Sequence, residues 1–168
     1  MKIICTMRIV FIYEYIKMIK YTLPAGRYYI GDICYALDDD IYSDFWGVKN
    51  NYEDGKYAYK SYNFVVHSTY YGDGYYPSNS ADEMCYAVDA GVIGMVHEKL
   101  IKKNKLKCIG DLGSIHTFTG DISFEFDNGT FLIDCDTDNF HLKIYTKSGP
   151  CDDPDFAGNS GDDGVTDS

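Results

Sequence analysis

The feature that most constrains the fold is an apolar alternation on both sides of the Asn-Gly dipeptide at 128–129. Phe124 and Phe126 keep a period of two before the dipeptide, and Phe131 and Ile133 keep it afterwards. That period places the four side chains on one face of paired strands. Because Asn-Gly adopts the type I′ turn that matches strand twist, the sequence predicts a β-hairpin here.

Other short runs have strand character and follow one another without regular helices between them. The clearest is the β-branched and aromatic segment 61–69. A β-meander is predicted over residues 115–118, 122–127, 130–135 and 139–145. Since strands without βαβ alternation favour antiparallel pairing, we predict an α+β fold. It would be a curved antiparallel sheet or small barrel of about seven strands with two short helices.

Two segments are predicted as those helices. Aspartates 38–40 precede apolar residues at 41, 45 and 46, and Gly47 is expected to end the helix. The segment 95–103 spaces apolar residues near the helical period and carries its lysines late. The predicted core consists of Ile30, Phe45, Trp46, Phe64, Val66, Val88, Ile93, Leu100, Phe124, Phe126, Phe131 and Ile133.

The chain is long enough for one domain, which we place at residues 18–147. Residues 1–17 have an apolar run too short for a membrane span and no small-residue cleavage site, so we expect an extension that the fold does not need. Translation would then start at Met1, Met7 or Met18. Residues 148–168 contain six aspartates among Gly, Pro, Ser and Asn, which predicts an acidic disordered tail.

Composition and missing motifs exclude several classes of function. With 26 acidic and 15 basic residues, the net charge of −11 argues against nucleic-acid binding and against an anionic membrane surface. We expect a soluble, cytoplasmic protein. The chain has no phosphate loop, dinucleotide fingerprint or Gly-x-Ser-x-Gly elbow. Six cysteines without a Cys-x-x-Cys pair predict reduced thiols rather than a zinc site.

A thiol site is the first catalytic hypothesis. Cys34 would be the nucleophile, His67 its base, and Asp89 the carboxylate that orients the base, with Asp32 and Asp73 as alternatives for that role. No family signature surrounds Cys34, and its apolar neighbour Ile33 favours a thiol that is part of the core.

A metal site is the second hypothesis. Asp32, Asp73 and Asp89 lie beside glycine turns, and carboxylates that converge with backbone carbonyls could hold Ca²⁺ or Mg²⁺. The spacing does not match an EF-hand loop. Turn and capping roles are therefore the simpler interpretation, with no cofactor.

Four stretches together resemble a group of small uncharacterised proteins of phages, bacteria and large DNA viruses. They are LPAGRYYIGDICY at 23–35, STYYGDGYY at 68–76, VDAGVIG at 88–94 and the predicted strand 122–126. The resemblance covers residues 19–145, although Ile33 stands where the group usually has proline. It implies the domain limits and draws attention to Asp32, Cys34, Asp73 and Asp89, but it implies no reaction.

The absence of a complete catalytic motif and the presence of seventeen tyrosines favour a non-enzymatic module that binds a protein partner. If the resemblance holds, that partner belongs to a virion or its host, and the protein lies in the host cytoplasm or the virion. The alternative is a small hydrolase or transferase that uses Cys34 and His67, or a metal held by aspartates. The sequence does not indicate an oligomeric state.

Overall fold

The computed structural model describes residues 18–147. The predicted extension 1–17 and the predicted tail 148–168 lie outside the described residues. The described chain contains eleven strands: β1 (Ile19–Leu23), β2 (Gly26–Gly31), β3 (Gly55–Tyr59), β4 (Tyr62–Ser68), β5 (Gly74–Pro77), β6 (Cys85–Val88), β7 (Val92–His97), β8 (Ser114–Phe118), β9 (Ile122–Asp127), β10 (Thr130–Cys135) and β11 (Phe140–Tyr145).

The strands form three antiparallel sheets. A four-stranded sheet has the order β1-β9-β10-β11, a five-stranded sheet has the order β3-β4-β7-β2-β8, and β5 pairs with β6. The β-rich antiparallel character of the prediction is confirmed. Instead of one sheet of about seven strands, the described residues form eleven strands in three sheets, and these sheets do not close into a barrel.

The helical segments are short. Four are 3₁₀ turns (Ile33–Tyr35, Glu98–Leu100, Ile109–Asp111 and Asp136–Asp138), and the fifth is a π-helix at Ile41–Lys49. No helix among residues 18–147 has the length and apolarity needed to cross a bilayer.

The five-stranded sheet has an apolar core on each face. On one face, Val65 and Met95 pack with the four-stranded sheet and the β5–β6 hairpin. On the other face, Phe64 and Val96 pack under the helical segments around Trp46. Of the predicted core, all residues are buried except Phe45 and Phe126, which are partly buried.

The predicted helix at 95–103 is wrong. Residues 95–97 belong to β7, and only Glu98–Leu100 form a 3₁₀ turn. Both faces of β7 are covered, which explains its continuous apolar run. Gly94 lies so close to its neighbour β4 that a Cβ there would be 2.2 Å from the Val65 carbonyl oxygen.

The predicted helix after the aspartate run exists, but its ends differ from the prediction. Asp40 makes no side-chain capping hydrogen bond, whereas Asp38 accepts one from the Asp40 N–H at 3.2 Å. Gly47 does not end the helix, which continues to Lys49. Instead, the missing side chain of Gly47 makes room for Tyr52, since a Cβ would lie 2.5 Å from the Tyr52 ring.

The cysteines follow the sequence expectation in part. Cys34, Cys108 and Cys135 are free thiols. Cys85 is disulfide-bonded, so the expectation of reduced thiols is wrong at this position.

Candidate functional site

Three loops that are distant in sequence meet at one end of the five-stranded sheet, and Asp32 joins two of them. Its side chain is fully buried. Oδ1 accepts a hydrogen bond from the Cys34 N–H at 2.9 Å, and Oδ2 accepts bonds from the Asp89 and Ala90 N–H groups, both at 2.6 Å. The carboxylate therefore fixes the turn between β6 and β7 against the end of β2.

The third loop, residues 69–73, is bonded to the same turn through Thr69. The Thr69 N–H donates to the Gly91 carbonyl at 2.9 Å, and its hydroxyl oxygen accepts the Gly72 N–H at 2.9 Å. Gly72 and Gly91 have φ angles of 83° and 67°, a conformation that favours glycine. Tyr76 donates its hydroxyl proton to the Gly72 carbonyl at 2.8 Å. The two turns are thereby packed backbone against backbone.

Beside these loops lies a depression of about 560 Å³, which we name the aromatic cleft. It is lined by Cys34, Tyr42, Trp46, Tyr52, Ser68, Asp89, Ala90, Gly91 and Val92. The π-helix and the residues after it supply the aromatic wall. Ser68 at the end of β4 and residues 89–92 of the β6–β7 segment also contribute to the lining.

The aromatic wall consists of three rings in mutual contact. The Trp46 centroid lies 5.3 Å from that of Tyr42 and 5.1 Å from that of Tyr52, and the rings are steeply inclined to each other. Trp46 is buried and its Nε1–H donates to the Glu53 carbonyl at 2.9 Å. Burial, with smaller contributions from Cys34 and Asp32, raises the pKa of Tyr42 to about 12, so its hydroxyl stays neutral.

Tyr52 is the exposed member of this wall. The residue is 53% exposed. Tyr52 and the preceding Asn51 have φ angles of 54° and 52°, and such left-handed residues cost about 1 kcal/mol or more each. The Tyr52 N–H donates to the Trp46 carbonyl at 3.0 Å, which holds the loop against the helix.

Cys34 lies at the cleft, but its environment does not activate it. Burial, followed by the adjacent Asp32 carboxylate, raises the pKa of the thiol far above its ordinary value. The thiolate is the nucleophilic form, and this environment disfavours it. Lys105 Nζ lies 3.3 Å from the Cys34 carbonyl oxygen, and its opposing effect on the pKa of the thiol is smaller than that of burial.

His67 points to the other side of the five-stranded sheet. Its ring stacks on Phe126 with a centroid distance of 4.0 Å, in the core that faces the four-stranded sheet. Nδ1 lies 2.8 Å from the Ser68 carbonyl oxygen, and Nε2 lies 3.5 Å from an oxygen of Asp54. The structure therefore brings Asp89 to the same cleft as Cys34, but not His67.

The three aspartates of the metal hypothesis lie on the three adjacent loops without forming a coordination set. Asp32 is engaged by backbone N–H groups, and Asp73 and Asp89 are exposed. Asp73 Oδ1 lies 3.7 Å from the position that a Cβ on Gly91 would occupy. Within residues 18–147, no group of three His, Cys, Asp or Glu side chains is arranged to hold a metal ion. Gly-Asp-Gly itself ends a turn and begins β5.

The sequence interpretation missed Tyr42, Tyr52 and Ser68 as lining residues. One signal could have found Tyr52: it directly follows Asn50-Asn51, and asparagine is the non-glycine residue that most readily takes the left-handed conformation. Trp46 was expected in the core, where its ring does lie.

The tyrosines do not form a single recognition surface. Tyr28, Tyr29, Tyr76 and Tyr86 are buried, and only Tyr52, Tyr62, Tyr70 and Tyr71 are strongly exposed among the described residues. Ring contacts place these four in three separate clusters. Tyrosine abundance alone therefore gives little support to a binding role, and the support comes from the cleft.

No protein-family model, no curated protein and no solved structure matches the chain. The geometry of the cleft therefore carries the functional argument.

Proposed function

We propose that this protein is a non-enzymatic module that binds a segment of a protein partner in the aromatic cleft. The observation that carries the proposal is the position of Tyr52. The residue is 53% exposed, yet its N–H donates to the Trp46 carbonyl and its ring packs on the buried Trp46 ring. Exposed tyrosines that are held rigidly supply contact area at low entropic cost.

The β6–β7 turn in the lining supports the same interpretation. The β6–β7 turn is held by Asp32 from one side and by Thr69 from the other. It presents the exposed Asp89 and the partly buried small residues Ala90 and Gly91 to the cleft. A partner would meet a site that is already formed, so little binding energy would be spent on ordering it.

The surroundings of the candidate nucleophile favour binding over catalysis. The Cys34 thiol is disfavoured as a thiolate, and His67 is on the other face of the sheet. If the resemblance to the phage and viral group holds, the proposal extends to a partner from a virion or its host.

The test is a selection of random peptides displayed on phage against the folded, immobilised full chain. The selected peptides should bind wild-type protein at least about tenfold more tightly than Tyr52→Ala, since loss of an aromatic anchor typically exceeds 1 kcal/mol. Tyr62→Ala is the matched control, because Tyr62 is exposed but contacts His97 away from the cleft.

Peptides whose affinity is unchanged in Tyr52→Ala would place the binding surface elsewhere. A selection that yields no peptide dependent on Tyr52 would contradict the proposal. Circular dichroism of each variant confirms that the fold is retained.

A further inference from the structure

We infer that the aromatic cleft receives an arginine side chain of the partner, stacked on Tyr52 and paired with Asp89. This inference rests on the proposed function and names the chemistry that the cleft recognises.

The charges around the cleft favour a cation. Among the described residues that line it, Asp89 carries the one carboxyl group, and none of these residues is Lys or Arg. Asp89 forms no ion pair within residues 18–147, since the described ion pairs join other residues. Asp73, which approaches Gly91 from the adjacent loop, adds a second negative charge beside the cleft. A carboxylate ligand would be repelled by both aspartates.

Lys105 does not neutralise this charge. Its Nζ lies 3.3 Å from the carbonyl oxygens of Cys34 and Leu37 and 3.5 Å from Asp39 Oδ1. The lysine ammonium thus contacts carbonyl groups at the 3₁₀ turn and an aspartate that does not line the cleft. Asp89 remains available to a ligand.

The rings favour a flat cation. A cation over the face of Tyr or Trp is attracted by the ring quadrupole, and this attraction grows as water is removed. Tyr42 and Tyr52 have centroids 5.9 Å apart and an interplanar angle of 54°, so the two rings present differently oriented surfaces to the cleft. Guanidinium stacks on an aromatic face while its edge donates to a carboxylate, whereas the lysine ammonium is a compact, strongly hydrated charge. Arginine therefore matches both kinds of group in the lining, the aromatic rings and the carboxylate.

The experiment uses Trp46, the single tryptophan of the chain, as a fluorescent reporter within the cleft. The probes are the peptide acetyl-Gly-Gly-Arg-Gly-Gly-amide and the same peptide with citrulline, a neutral residue of nearly the same shape. Each is titrated into the full chain up to millimolar concentration. The arginine peptide is expected to bind about tenfold more tightly than the citrulline peptide.

Asp89→Asn is expected to weaken the arginine peptide about fivefold and to leave the citrulline peptide unchanged. Asp82→Asn is the matched control, because Asp82 is exposed and does not line the cleft. That variant should bind both peptides like the wild-type protein.

Equal, Tyr52-dependent binding of the two peptides would overturn the arginine inference and leave the proposed function standing. Loss of the arginine preference in Asp82→Asn as well as in Asp89→Asn would also overturn it, because the effect would then be general charge attraction. Failure of both probes to change Trp46 fluorescence overturns the inference, and the peptide selection then decides the proposed function independently.

Discussion

A buried carboxylate needs donors, and Asp32 obtains all three of its described hydrogen bonds from backbone N–H groups. The residue was a candidate metal ligand in the sequence. In the structure it shapes the cleft instead, because it positions the turn that carries Asp89 and Ala90.

Asp32→Ala should lower the free energy of unfolding by about 3–5 kcal/mol, since the N–H groups of three residues lose a buried acceptor. Guanidinium denaturation of the variant measures the loss. Asp82→Ala, at an exposed position, should change the same quantity by less than about 0.5 kcal/mol. An Asp32→Ala protein as stable as the wild type would show that the network contributes little.

A second prediction at the residue scale concerns the reactivity of the Cys34 thiol. Because burial raises the pKa of its thiol, the fraction of thiolate at pH 8 is small, and alkylation by iodoacetamide should be slow. Cys108 is exposed and free, so it serves as an internal control that should react faster. Mass spectrometry of native protein follows both sites. Faster modification of Cys34 than of Cys108 would indicate an activated nucleophile and would revive the enzyme hypothesis.

At the scale of elements, the π-helix Ile41–Lys49 positions the aromatic wall, and Gly47 determines where Tyr52 lies. Alanine at 47 suits a helix better than glycine. Its Cβ would nevertheless lie 2.5 Å from the end of the Tyr52 side chain, so the added methyl group would displace the Tyr52 ring from its place on Trp46.

Gly47→Ala should therefore change the free energy of unfolding by less than about 1 kcal/mol while weakening the selected peptides at least about fivefold. Calorimetry measures both quantities on one preparation. Gly110→Ala is the control, because a Cβ on Gly110 would meet nothing within 4 Å. Undiminished peptide affinity in Gly47→Ala would mean that the position of Tyr52 does not matter.

The sequence predicted correctly those elements whose determining residues lie close together in the chain. The β9–β10 hairpin was predicted because its turn and alternation lie within a dozen residues, and Asn128 and Gly129 indeed have φ angles of 45° and 86°. Residues 95–97 of β7 were mistaken for a helix because the determinant of this strand, the approach of Gly94 to Val65, is a tertiary contact. The bond from the Asp89 N–H to Asp32 spans 57 residues, so spacing could not reveal it.

At the scale of the whole molecule, the five-stranded sheet separates two cores. Because this sheet lies between Cys34 and His67, the two residues do not form the predicted thiol site. Side chains of β4 alternate between the cores, so His67 faces Phe126 while Val66 faces the core around Trp46. Cys34 and His67 could not have been assigned to opposite faces without knowing how β2 and β4 flank β7.

Two partly buried histidines also predict how the free energy of unfolding depends on pH. Burial lowers the pKa of His97 and of His116, so the folded state binds protons less readily than the unfolded state, where histidine has a pKa of about 6.5. The contribution of these two histidines to the free energy of unfolding is fully present above about pH 6.5. It is lost as the pH falls through the lower pKa values of the folded state.

The free energy of unfolding should therefore decrease between pH 7 and pH 5, and His116→Gln should reduce the slope. Urea denaturation at a series of pH values gives this slope. Between pH 8 and pH 9 both proteins should give the same slope, because the imidazole is neutral in both states. An unchanged slope below pH 7 in His116→Gln would exclude His116 as a source of the effect.

The measurement that tests the account most directly is NMR mapping of a selected peptide on the isotopically labelled protein. If the aromatic cleft binds the partner, the largest changes in backbone amide shifts will fall at residues 46–52 and 89–92. The structure offers a clear alternative, a depression of about 500 Å³ lined in part by Tyr86, Ser114 and His116. Changes concentrated there, with residues 46–52 unaffected, would contradict the claim that the aromatic cleft is the binding site.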